Sequence, residues 1–281
     1  MSARRPAAVT VLTGPGRGRA ALRWAAAEAG RRGAPLEVLL TGDADAGATG
    51  FTRALSLLRV ALPGLPLSTR DETGRAVDAV RVRSRLAATV VLPADLPDLG
   101  AVVAAAYSPV VVVPERRSTP GAPVVVGVAP WTDDVPVDLA FRAAAERRVR
   151  LIAVRTWEDP AIDLARSRPE RIARWDRAEE RARDELEMAL AAQRIVHPEV
   201  PVQTIVAQDR ADDLLLALSS RAQLVVVGRS ERGALLTGLT GSPVDALLRG
   251  AGCPVAVVAG DGAPRAGLLP SRAHGWALPI P

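Results

Sequence analysis

Along this chain, short continuous apolar runs alternate with longer segments in which apolar residues return every three to four positions. Runs such as VTVL, LVVVG, VVVV and VAVV are bounded by Gly or Pro and are too short for helices, so they read as strands buried on both faces. The intervening segments carry the 3.6-residue period of amphipathic helices. "SRPERIARWDRAEERARDELEMALAAQ" is the clearest: Ser167 and Glu170 have capping-box spacing, and Ile172, Trp175, Ala182, Leu186 and Leu190 share one face. Such alternation predicts parallel sheet covered by helices on both sides, with right-handed crossovers.

The alternation occurs twice. Shifted by 135 positions, "PGLPLSTRDETGRAVDAVRVRSRLAATVVLP" (63–93) lies over "PEVPVQTIVAQDRADDLLLALSSRAQLVVVG" (198–228) without a gap. Pro63 meets Pro198, Thr69 meets Thr204, Asp78 meets Asp213, and Ser84 meets Ser219. "AAVTVLTGPGRGRAALRW…" and "APVVVGVAPWTDDVPVDLAF…" share a strand, turn, helix rhythm, and "SPVVVVPE" and "CPVAVVAG" close the two halves. Each half therefore reads as β, α, β, α, β, α, β before its closing segment. The polar link "ERRSTPGAP" (115–123) divides the chain into 1–117 and 118–262, followed by a Pro/Gly-rich tail at 263–281 that carries Trp276 and Leu278.

Composition narrows the fold and the chemistry. With 281 residues, 48% apolar but only 3% aromatic, the core must be built of Val, Leu, Ile and Ala. The net charge is +5, and every basic residue is Arg. Without Lys there is neither a Walker A loop nor a Schiff base. The arginines are interleaved with acids on helical segments and lack an aromatic platform, which argues against nucleic acid as a partner. One cysteine, Cys253, excludes an internal disulfide and a Cys-rich zinc site, and its place before Pro254 at a strand start makes it core. No segment approaches the ~20 apolar residues of a membrane span, so the expectation is a soluble cytoplasmic protein without a membrane partner.

Candidate chemistry is sparse. "TGPGRGRAALRW" resembles a dinucleotide loop, but Arg19 stands where the third glycine belongs, and Asp43 in "GDADAG" reads as a turn. His197 and His274 have no neighbouring nucleophile or metal partner in sequence and read as surface residues. With no acid, base and nucleophile together, no enzyme is expected and no catalytic or metal residue is assigned. The best candidate is "VGRSERGALLTGLTGSPV" (227–244), in which a strand ends at Gly228 and a glycine loop leads to Ser242 at a helix start. Strand ends facing helix N-termini favour anions in doubly wound sheets.

These residues resemble the universal stress protein family, whose nucleotide-binding members carry Gly, two residues, Gly, nine residues, Gly, then Ser or Thr. Here Gly228, Glu231, Gly241 and Ser242 fit that spacing, with Glu231 in place of the second glycine. The resemblance covers 122–260 directly and 7–116 through the repeat. It implies an α/β fold of two doubly wound parallel-sheet domains, adenine nucleotide alpha hydrolase-like, paired through their last strands. Val110–Val113 would then run antiparallel to Val255–Val258, an internal pseudo-dimer compatible with a further homo-oligomer. It also implies a stress-response role, with ATP or a related adenine nucleotide held by Gly228, Arg229, Arg232, Gly241 and Ser242 opposite Ala129.

Departures from the family pattern weaken that site. The family's nucleoside-binding Asp at the end of the first strand is replaced by Ala129 and, through the repeat, by Thr13. Glu231 sets a carboxylate against phosphate, a repulsion of about 1 kcal/mol in water and about 4 kcal/mol at an effective dielectric of 20 for charges ~4 Å apart. Pro243 removes an N–H from the helix start, and Asp245 is spaced to cap it from within. Arg229 and Arg232 act in the opposite sense, since either can pair with phosphate. In the first half, only 16 positions separate Pro93 from Pro109, against 26 from Gly228 to Pro254, so no phosphate loop is expected there. The alternative is an interaction or structural module that binds no nucleotide.

Overall fold

The structure is a computed structural model that describes residues 7–14, 18–41, 48–116, 119–130, 132–157, 167–229 and 243–259. The first half runs β1 (Val9–Thr13), α1 (Arg19–Arg32), β2 (Leu36–Thr41), α2 (Ala48–Ala61), β3 (Leu67–Glu72), α3 (Ala76–Arg83), β4 (Thr89–Pro93), α4 (Leu99–Ala104) and β5 (Val110–Val113). The second runs β6 (Val124–Gly127), α5 (Asp134–Arg147), β7 (Leu151–Thr156), α6 (Arg168–Val196), β8 (Val202–Ala207), α7 (Ala211–Ser219), β9 (Leu224–Arg229), α8 (Pro243–Gly250) and β10 (Val255–Ala259).

All ten strands join one sheet in the order β3-β2-β1-β4-β5-β10-β9-β6-β7-β8. Every pairing is parallel except the central one, where Val110, Val111 and Val112 meet Val257, Ala256 and Val255 antiparallel. The expected pairing through the last strands is therefore present, and it joins the two five-stranded groups about a pseudo-twofold axis. Valine suits these strands because each is covered on both faces, and β5 is buried throughout. On one face α1, α2, α5 and α6 cover Val11, Val38, Val91, Val126 and Val226; on the other, α3, α4, α7 and α8 cover Leu12, Leu39, Leu92, Val125 and Val227. Ala21, Ala25 and Ala29 let α1 lie close against the sheet, and all three are fully buried.

Register makes the internal repeat concrete. β3, α3 and β4 begin at Leu67, Ala76 and Thr89, and β8, α7 and β9 begin at Val202, Ala211 and Leu224, the same 135-residue offset throughout. The matched serines do the same job. Ser84 Oγ accepts from Tyr107 N at 3.0 Å, and Ser219 Oγ accepts from Gly252 N at 2.9 Å, so each ties the end of its helix to the segment before the last strand.

Three residues, Ile172, Trp175 and His197, differ from the sequence reading. α6 is 29 residues long, about 43 Å at ~1.5 Å per residue, and overshoots strands half that length. Ala182, Leu186 and Leu190 are buried as expected, but Ile172 lies beyond the sheet and is 54% exposed. Trp175 is also partly exposed and packs edge-on against Trp157, with ring centroids 5.0 Å apart. His197 is half-buried rather than a surface residue, because its ring stacks on Phe141 at 6.2 Å while Nδ1 lies 3.2 Å from Glu199.

The two halves are also joined by charge. Glu28 on α1 is 1% exposed and meets Arg31, Arg32 and, from α5, Arg147, each at 2.6 Å. Burial alone would raise the Glu28 carboxyl, but Arg147, Arg32 and Arg31 outweigh it and hold it below the ordinary carboxylate range. Burial lowers the Arg147 guanidinium, and Glu28 opposes that shift.

Candidate functional site

The carboxyl ends of β6 and β9 form the crest at which doubly wound sheets bind ligands. β6 leads into a tight turn. Thr132 Oγ1 accepts from Ala129 N at 2.8 Å, and Thr132 N donates to Ala129 O at 3.0 Å. α5 then starts from Asp133, whose carboxylate accepts from Val135 N at 3.3 Å. Asp133 thus satisfies from within a helix start that would otherwise attract an anion.

Gly228 lies opposite this turn at the end of β9. A Cβ there would sit 3.2 Å from Pro136 Cγ and 3.8 Å from Thr132 Cγ2, so the missing side chain admits the first turn of α5. Ala129, which bonds Thr132, and Gly228, which faces Thr132 and Pro136, therefore lie at one crest. The next residue, Arg229, crosses to the first half: its guanidinium donates to Val103 O at 2.8 Å and Ala106 O at 3.5 Å, at the C-terminal end of α4. A cation is favoured there by the helix dipole. Glu231, Arg232, Gly241 and Ser242 lie outside the described residues, as do Asp43 and His274. α8 begins at Pro243 with Asp245 in its first turn.

The first-half crest is built differently. β1 and β2 begin at Val9 and Leu36, β6 and β7 at Val124 and Leu151, an offset of 115 that makes Gly14 the counterpart of Ala129. The sequence reading placed Thr13 there, one residue early, because α1 and α5 share too little sequence to fix the register. A Cβ on Gly14 would stand 2.8 Å from Thr41 O, which leaves no room for an acid. After β4, Ala94 N bonds Val113 O and Leu96 N bonds Pro93 O, and α4 follows from Asp98 at φ 54°. No glycine loop intervenes.

The described residues thus supply a glycine at the crest, with Ala129 where the family resemblance expects an acid and the Asp133 carboxylate engaged as the α5 cap. Cys253 is fully buried, and desolvation pushes its thiol up to about 12, so it is inert core as expected. Among the described residues, no group of three or more His, Cys, Asp or Glu could hold a metal, and no helix is long and apolar enough to cross a membrane. Three features escaped the sequence reading: the Thr132 turn, the Glu28 cluster and the Arg229 bridge. An acid inside the alanine run "RWAAAEAGRR" was the one visible signal, but its partner Arg147 lies 119 residues away.

Residues 122–259 match the model of the universal stress protein family. The chain is 36% identical over 169 residues to universal stress protein Rv2005c of Mycobacterium tuberculosis, covering 56% of this chain and 51% of that protein. It is 31% identical over 163 residues to universal stress protein Rv2623 of the same organism, covering 54% and 51%. It spans about half the length of these curated relatives. Among solved structures, a functionally unknown protein, PA1789 of Pseudomonas aeruginosa, superposes with a TM-score of 0.64 at 16% identity over 90% of this chain and 93% of its own. A universal stress protein from Archaeoglobus fulgidus gives 0.59 at 14% identity over 89% and 96%. These two likenesses show the fold across both halves.

Proposed function

Because residues 122–259 form a universal stress protein domain, we propose that the chain is a cytoplasmic, non-enzymatic stress-response or regulatory protein whose second half keeps a weakened site for ATP or a related adenine nucleotide. Its units are 1–117, 118–262 and a tail at 263–281. The first unit acts as a fixed partner and the second carries the site.

The observation that supports this reading most is Gly228 on the crest beside Ala129 and Thr132. The location suits an anion, but the nucleoside acid is missing. The neighbouring Arg229 holds α4 instead of waiting for phosphate. Affinity is therefore low, and the intact loop spacing from Gly228 to Ser242 accounts for what remains. The alternative, a module without nucleotide binding, draws support from the same Arg229 bridge and from Asp133 at the α5 start.

Calorimetric titration with ATP and AMP tests the choice. Binding that disappears in Gly241→Asp and tightens in Glu231→Gly supports the nucleotide reading. Absence of heat from the native chain and from Glu231→Gly at millimolar ligand leaves the interaction module standing.

A further inference from the structure

Among the described residues the sheet has two free edges, β3 and β8, related by the 135-residue offset. Their sequences are LSTRDE and VQTIVA, so Arg70, Asp71 and Glu72 on one edge become Ile205, Val206 and Ala207 on the other. The first edge is guarded by charge. Arg70 Nε lies 3.2 Å from Glu37, and Arg83 Nη2 lies 2.7 Å from Glu72. At the matching positions the second half has Ile152 for Glu37, Ile205 for Arg70, Leu218 for Arg83 and Ala207 for Glu72. Ile205 and Leu218 are only half-buried. Edges lacking charge, Pro or a bulge are templates for another strand.

Backbone direction defines what fits. Leu151 N donates to Pro201 O and Trp157 N to Ala207 O, so the odd-numbered residues of β8 point toward β7. In a strand with parallel neighbours, the N–H and C=O of alternate residues face the same side. Val202, Thr204 and Val206 therefore present their N–H and C=O groups outward, and among the described residues no strand lies outside them. A twofold axis through Thr204 pairs Thr204 with Thr204 of a second copy and Val202 with Val206. It is the same antiparallel symmetry by which Val111 faces Ala256 in the centre of the sheet.

We propose that the β8 edge is a homodimer interface, pairing antiparallel with β8 of a second copy about Thr204 to continue the sheet across two chains. The second copy is the occupant because it presents an identical edge whose outward groups are self-complementary and whose six residues carry no charge. Pairing with β3 of another copy would lay Arg70, Asp71 and Glu72 against this aliphatic rim and would form open chains instead of a closed pair. The contact is independent of nucleotide binding.

Sedimentation velocity on the full chain over ~1–100 µM tests it. The expected mass is twice the 29.4 kDa of one chain. Thr204→Lys, on an exposed side chain, sets like charges face to face and raises the dissociation constant about tenfold or more. Thr204→Pro, which removes an outward N–H, does the same, while Thr69→Lys on the other edge changes nothing. A single-chain mass throughout the range overturns the proposal. So does a two-chain mass that Thr204→Lys leaves unchanged, or one that Thr69→Lys disperses.

Discussion

The first and second halves share strand order, offset serines and helix positions, yet they treat the same backbone in opposite ways at the crest and the rim. At the crest, the first half closes after β4 with a short turn into a six-residue α4, whereas in the second half the glycine-rich sequence 230–242, which lies outside the described residues, separates β9 from α8. At the rim, the first half spends Glu37, Arg70, Glu72 and Arg83 on an ion network, whereas the second half is aliphatic. The fold tolerates both solutions because its strands, buried in the centre, do not depend on either. Crest and rim therefore diverge independently of the core. The halves also depend on each other asymmetrically: Arg229 of the second caps α4 of the first, and its counterpart Ala94 can make no such bond.

The largest expected effect comes from the charged contact between the halves. Glu28→Ala leaves Arg147 buried without its carboxylate and should lower stability by about 3–5 kcal/mol in urea unfolding. The double variant Glu28→Leu, Arg147→Met should recover most of that loss. A loss below about 1 kcal/mol in the single variant would show that the halves do not rely on this contact. The pH dependence has a definite sign. Because the folded carboxyl lies below its unfolded value, its contribution is complete above the ordinary carboxylate range and disappears as pH falls through the folded value. Acid unfolding of Glu28→Gln should therefore be shallower than that of the native chain.

A smaller effect tests the equivalence of the halves. Ser84→Ala and Ser219→Ala each remove the acceptor for one backbone N–H, of Tyr107 and Gly252, and each should cost about 1–2 kcal/mol. Unequal losses, with one near zero, would mean that the shared serine serves different ends. The smallest effect is at Ser108, the counterpart of Cys253 at the start of the last strand. Its hydroxyl is buried without a hydrogen-bond partner, and the second half places a thiol there. Ser108→Cys should stabilise by about 0.5–1 kcal/mol in thermal unfolding, and a destabilisation would contradict the assigned equivalence.

Much of this comparison was legible in the sequence. The gapless 135-residue offset gave β3, α3 and β4 their partners, and the VVVV and VAVV runs marked the two last strands, whose antiparallel meeting only the family resemblance implied. Both signals are local, since a buried parallel strand writes itself as a continuous apolar run. What stayed hidden depends on the approach of distant segments. Nothing in "VLTGPG" says that Gly14, not Thr13, matches Ala129, because strand register and the nearby Thr41 carbonyl decide it. Nothing in "VVVGRS" says that Arg229 points to α4 of the other half. Helix α6 reads as amphipathic along its whole length, but the sheet beneath it ends first, so Ile172 emerges into solvent.

If the second half holds the proposed nucleotide site and lacks only its nucleoside-binding acid, restoring that acid at Ala129 restores affinity. Calorimetric titration of ATP into the native chain and into Ala129→Asp should show weak, near-millimolar binding in the first and about ten- to hundredfold tighter binding in the second. Binding in Ala129→Asp no tighter than in the native chain would contradict the claim.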